Sequence, residues 1–81
     1  MRVRVRLFAS LREALGQPEV ELELPDGATP EDVWRRLAAD HPALASRRAN
    51  LAAAVNCRYA PFDAPLAAGD EVVFIPPVSG G

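Results

Sequence analysis

Lysine is absent from this chain of 81 residues; all nine basic residues are arginines. A phosphate-cradling Walker A loop requires a lysine, and no GxGxxG run is present either. Nucleotide chemistry on this chain would therefore need a partner that binds the nucleotide. Cys57 is the sole cysteine and His41 the sole histidine. An internal disulfide is excluded, and a typical zinc site cannot be framed. No apolar run approaches the length of about 18 residues needed to cross a membrane. The start, Met1-Arg2-Val3-Arg4-Val5-Arg6, alternates charge with apolar residues and has no secretory apolar core. The formal charge is −2, so nothing favours nucleic acid or an anionic membrane as partner. Cytoplasm is the expected location. At this length the chain is one domain with a small core.

What is there begins with two alternating segments. Val3, Val5 and Leu7 alternate with Arg2, Arg4 and Arg6; Val20, Leu22 and Leu24 alternate with Glu19, Glu21 and Glu23. Period-2 alternation marks half-buried strands. One polar face is all arginine and the other all glutamate, which predicts antiparallel neighbours linked by ion pairs. Between them Leu11, Ala14 and Leu15 fall at helical spacing, with Gly16 placed to stop a short helix.

Pro25-Asp26-Gly27-Ala28 reads as a turn. Thr29 suits an N-cap, Pro30 the first helical position, and Glu31 and Asp32 the first turn. The helix they open runs to about Asp40, with Val33, Trp34, Leu37 and Ala38 as its apolar stripe. Residues 43–49 suggest a helical turn. Leu51–Cys57 reads as a strand, Asn56-Cys57-Arg58-Tyr59 as a lead into a hairpin, and Glu71–Ile75 as a final Val-rich strand. The expected fold is α+β: a mixed, curled sheet around one main helix, the β-grasp or ubiquitin-like arrangement. Residues 1–75 form its domain and 76–81 an extended tail.

That tail is Pro76-Pro77-Val78-Ser79-Gly80-Gly81. Proline lacks an N–H and fixes φ, so the pair ends the sheet ladder and favours an extended exit. Glycine has no Cβ and allows close approach to catalytic groups. The pattern points to the main-chain carboxylate of Gly81 as the reactive group. A carboxylate is a poor electrophile and needs prior activation, typically as an acyl-adenylate formed from ATP in a water-excluding site.

The stretch from Leu66 through Gly69-Asp70-Glu71-Val72 to Pro76-Pro77-Val78-Ser79-Gly80-Gly81 resembles the C-terminus of the molybdopterin synthase small subunit, the MoaD family of sulfur carriers. The opening from Leu7 through Gly16 and the segment Ala54-Val55-Asn56 resemble the same family. The resemblance covers nearly the whole chain and is most specific in the tail. It implies a ubiquitin-like carrier that binds no metal or cofactor of its own. A separate E1-like adenylyltransferase would use ATP to activate Gly81, and a persulfide donor would convert the carboxylate to a thiocarboxylate. The tail would then enter the large subunit of molybdopterin synthase, in a heterotetramer, and give sulfur to cyclic pyranopterin monophosphate. Gly80 would be the steric partner of Gly81, and Phe74, Pro76, Pro77, Val78 and Ser79 the recognition segment.

Three other readings fit less of the sequence: a carrier for another acceptor (thiamin thiazole, tRNA or cysteine synthesis), a ubiquitin-like modifier of lysines, and an interaction domain with an inert terminus. Among the remaining residues, Cys57 is expected to be a semi-buried small hydrophobe and Trp34 to lie in the core. His41 is expected to close the main helix, and Arg47 and Arg48 to be solvated.

Overall fold

A computed structural model describes residues 1–77 of the chain. Its elements are β1 (Arg2–Leu7), α1 (Ala9–Leu15), β2 (Glu19–Glu23), α2 (Pro30–Asp40), a 3-10 segment at Pro42–Arg47, β3 (Ala52–Val55), β4 (Arg58–Ala60) and β5 (Glu71–Ile75). One five-stranded sheet has the order β2-β1-β5-β3-β4. β1 and β5 run parallel, while the other three neighbouring pairs are antiparallel. The last strand in sequence is thus the central strand of the sheet, with α2 packed on its inner face. This is the β-grasp arrangement that the element order predicted.

The alternating charges set the β1–β2 register as expected: Arg2 faces Glu23, Arg4 faces Glu21 and Arg6 faces Glu19. The ion pairs themselves are long and exposed. Arg2 Nε lies 3.2 Å from Glu23, and Arg6 Nε lies 4.0 Å from Glu19. Exposed pairs of this kind contribute about 0–1 kcal/mol each, so the ladder specifies register more than it stabilises. Stability comes from the inner face, where Val3, Val5, Leu7, Val72 and Phe74 meet Val33, Trp34 and Leu37 of α2, all buried.

Local signals fix the helix ends. Thr29 and Asp32 form a reciprocal capping box: the Asp32 N–H donates to Thr29 Oγ1 at 3.3 Å, and the Thr29 N–H donates to Asp32 Oδ2 at 3.0 Å. Aspartate here does what glutamate usually does at that position. Gly16 closes α1 in the left-handed region at φ 86, its N–H donating to the Arg12 carbonyl at 2.9 Å. His41 caps α2 through its backbone N–H, which donates to the Leu37 carbonyl at 2.8 Å.

The hairpin after β3 is tighter than the sequence suggested. β3 ends at Val55, and Val55 pairs directly with Arg58, leaving Asn56 and Cys57 as a two-residue loop. Both have positive φ, 51 and 70, the signature of a type I′ turn. This corrects the expectation for Cys57: its thiol is exposed, and the residue serves as the second position of the turn. Glycine is the favoured residue there. Cys57→Gly should therefore raise stability, by about 0.5–1 kcal/mol, since it relieves a left-handed L-residue at the cost of some unfolded-state entropy. The urea unfolding midpoint of the two proteins checks this.

Candidate functional site

β5 delivers the tail, and its position in the sheet dictates how. Leu7 pairs with Phe74 on one side and Ala52 pairs with Ile75 on the other, so β1 holds the strand to Phe74 and β3 to its last residue. Pro76 and Pro77 follow, half-buried and exposed respectively, and cannot extend the ladder. Val78, Ser79, Gly80 and Gly81 lie outside the described residues.

Phe74 requires a correction. It was expected in the segment that a partner recognises, but it is wholly buried on the inner face. The Trp34 ring meets it edge-on at 5.2 Å between centroids, and Phe62 stacks on it at 5.9 Å. No partner can reach Phe74 in the folded protein. Its part is to anchor β5 from inside, two residues before the chain leaves the sheet.

The aromatic cluster continues to a charged clamp that the sequence did not reveal. The Arg48 guanidinium lies 3.7 Å over the Phe62 ring. It also donates to both Glu31 carboxylate oxygens, from Nε at 3.1 Å to each and from Nη2 at 2.7 Å to Oε1. The Glu31 N–H in turn donates to the Phe62 carbonyl at 3.0 Å. Arg48, expected to be solvated, thus ties the first turn of α2 to the loop after β4. The Arg48 hydrogen bonds hold the Glu31 carboxyl below its usual range, against the opposing effect of partial burial.

The outer face of the sheet is divided. Its β2–β1 half carries the arginine–glutamate ladder. Its β5–β3–β4 half is apolar: Val73, Ile75, Ala54 and Tyr59, with Phe8 beyond the end of β1. These residues and Cys57 line an open depression of about 270 Å³, flanked by Arg6 and Glu71. Phe8 is 45% exposed and Tyr59 79%. The signal for this surface was available in β5: Val72 and Phe74 point inward, so Val73 and Ile75, its other apolar residues, must point out. Tyr59 and Phe8 gave no such signal, because each needs the sheet order to bring it alongside.

Among the described residues no polar or charged side chain is buried, and no group of three or more His, Cys, Asp or Glu could hold a metal. No helix among them is long and apolar enough to cross a membrane. What the arrangement offers is a rigid strand end, two prolines and an adjoining apolar surface.

A β-grasp domain that carries its C-terminal segment on the central strand defines the class. The chain belongs to the ThiS family, which matches residues 5–81. It is 45% identical to the molybdopterin synthase sulfur carrier subunit of Chlamydomonas reinhardtii, with both chains covered completely. It is 43% identical to that of Escherichia coli, over 98% of this chain and 99% of the relative. The crystal structure of SAMP1 from Haloferax volcanii superimposes with a TM-score of 0.89 at 34% identity, again over the whole of both chains.

Two outcomes follow from the anchor. Phe74→Ala should cost about 3–5 kcal/mol, as truncation of a buried aromatic does, and urea unfolding measures it. Because the Glu31 carboxyl is lowered in the folded state, its contribution is complete above about pH 4.3, its unfolded value, and is lost as pH falls through the lower folded value. The stabilities of wild type and Glu31→Gln should therefore differ at neutral pH and converge as pH falls through the lowered folded value. A constant gap across that range would contradict the clamp.

Proposed function

We propose that this chain is the sulfur-carrier subunit of a molybdopterin synthase, with the Gly81 carboxylate as its reactive group. The end-to-end alignment with two molybdopterin synthase sulfur carrier subunits carries the reading. In it, an E1-like partner adenylates the carboxylate at the expense of ATP, releasing pyrophosphate. The terminal sulfur of a persulfide donor then attacks the acyl carbon and AMP leaves. Reduction of the resulting acyl disulfide by a thiol frees the thiocarboxylate. The sulfur of a thiocarboxylate is ionised at neutral pH and more nucleophilic than a carboxylate oxygen, so it suits delivery to cyclic pyranopterin monophosphate in the large subunit. The setting is cytoplasmic, and the catalytic groups belong to the partners.

The described residues support this division of labour. Pro76 and Pro77 lead away from a strand held on both sides. The apolar half of the outer face, with Phe8, Tyr59, Val73 and Ile75, lies beside that exit and suits a protein partner. Val78, Ser79 and Gly80 supply the narrow approach in the same reading.

A second reading, attachment to lysines of other proteins, is favoured by one observation: the close superposition on SAMP1, a small archaeal modifier protein. Intact mass separates the outcomes. With an E1-like enzyme, ATP and a persulfide donor, one oxygen of Gly81 should be replaced by sulfur, and addition of the large subunit and pterin precursor should consume the product. Deletion of Gly81 should abolish both steps and leave the fold intact. Failure to gain sulfur with an activating enzyme that is competent on another carrier would sink the carrier reading. Adducts on target lysines would support the modifier.

A further inference from the structure

At the pole where the chain leaves the sheet, a second concavity lies apart from the apolar outer face. Ser10 and Leu11 of α1, Arg47 of the 3-10 segment, Leu51, Pro76 and Pro77 line a cleft of about 300 Å³. Its walls are about evenly polar and apolar, and Arg47 supplies the only charged side chain among them. Arg47 is exposed and forms no ion pair among the described residues, whereas its neighbour Arg48 is held by Glu31. Arg12, Arg35 and Arg58 likewise form no ion pair among the described residues, but of these four only Arg47 lines the cleft. Glu19, Glu21, Glu23, Glu31, Asp40 and Glu71 all lie within ion-pair distance of an arginine, yet none of them takes Arg47.

The backbone at the cleft is also unusual. Ala9, immediately before Ser10, has φ 52, a left-handed value that L-alanine rarely adopts. The chain tolerates this where β1 turns into α1, and the turn sets Phe8 on the outer face and Ser10 and Leu11 on the cleft. Leu11 and Leu15 are buried, so α1 is fixed in place and the cleft is built on a packed element.

We infer that this cleft is a second docking point for the E1-like enzyme that adenylates the tail, and that it takes an Asp or Glu side chain of that enzyme against Arg47. Pro76 and Pro77 form one wall, so a protein that encloses residues beyond Pro77 passes over the cleft. An apolar residue beside the acid would meet Leu51 and the prolines. An unpaired arginine at the edge of an interface acts mainly on encounter and on salt dependence. The inference rests on the carrier reading, because it needs a partner that grips the tail.

The test is steady-state adenylation by the E1-like enzyme with ATP, using the full chain as wild type, Arg47→Glu, Arg47→Ala and Arg47→Lys. Arg47 makes no contact that holds the fold, and circular dichroism should show all four folded alike. The KM for the carrier should rise about tenfold or more in Arg47→Glu and less in Arg47→Ala, with kcat little changed, and Arg47→Lys should retain most of the affinity. Raising ionic strength should increase the wild-type KM more steeply than that of Arg47→Ala. A KM for Arg47→Glu within twofold of wild type, or equal salt dependence in the two, would overturn the inference while leaving the carrier reading intact. So would sedimentation showing that wild type is a dimer which Arg47→Glu dissociates, since the occupant would then be a second copy. Absence of adenylation in wild type itself would instead remove the carrier reading, and this inference with it.

Discussion

Phe74 sits where the central strand crosses the middle of the core, and most of the architecture can be traced from its contacts. Its ring meets Trp34 of α2 edge-on and stacks on Phe62 from the loop after β4. Its backbone neighbours are Leu7 of β1 and Ala53 of β3. One residue therefore joins the first strand, the main helix, the β3–β4 hairpin and the last strand. Three residues later the described chain ends at Pro77. Because burial fixes Phe74, the direction of departure is set by packing in a region no partner touches. A tail meant for insertion into another protein gains from this: little motion at its root has to be lost on binding, and ordering cost is part of what weakens association.

The sheet then separates two tasks on its outer face. On β1 and β2, arginine opposite glutamate covers backbone and specifies register, with little net stabilisation. On β5, β3 and β4 the same face is apolar. Had the ladder continued across, the surface beside the exit would be hydrated charge, costly to bury against a protein. Had the apolar character continued to β2, an edge strand would invite pairing with other chains. Glu19, Glu21 and Glu23 make that edge uniformly acidic, which disfavours self-pairing.

The elements with a period of their own were legible from sequence. Alternation gave β1 and β2 with their partners, and Thr29-Pro30-Glu31-Asp32 gave the start of α2. What was missed depends on contacts between distant segments. Phe74 looked like a surface anchor because it stands two residues before the prolines. Only the parallel pairing with β1, which sets it opposite Leu7, shows that it faces inward. Arg48 looked solvated because its partners, Glu31 and Phe62, are 17 and 14 positions away. Cys57 was expected to be semi-buried as a small hydrophobe; the strand pairing that isolates Asn56 and Cys57 as a two-residue loop places it in an exposed turn instead. The reading of the tail rests on local chemistry, because proline and glycine act through their own backbone constraints, and residues 78–81 lie outside the described residues.

Geometry also limits where a receiving enzyme can hold this domain. Gly81 is the fourth residue after Pro77, and four residues fully extended reach at most about 14 Å. An active site closed around Gly81 must bring its rim near the pole where the chain leaves the sheet, which carries Ser10, Arg47, Leu51 and Ile75. The two concavities there differ in chemistry. One is apolar, between Phe8, Tyr59, Val73 and Ile75; the other is of similar size and carries a single positive charge at Arg47. Apolar area supplies affinity with little orientation, whereas one charge off to the side fixes rotation about the tail. Under the proposed function, a carrier received in turn by different enzymes would be well served by that combination, because neither contact alone need be strong enough to trap it.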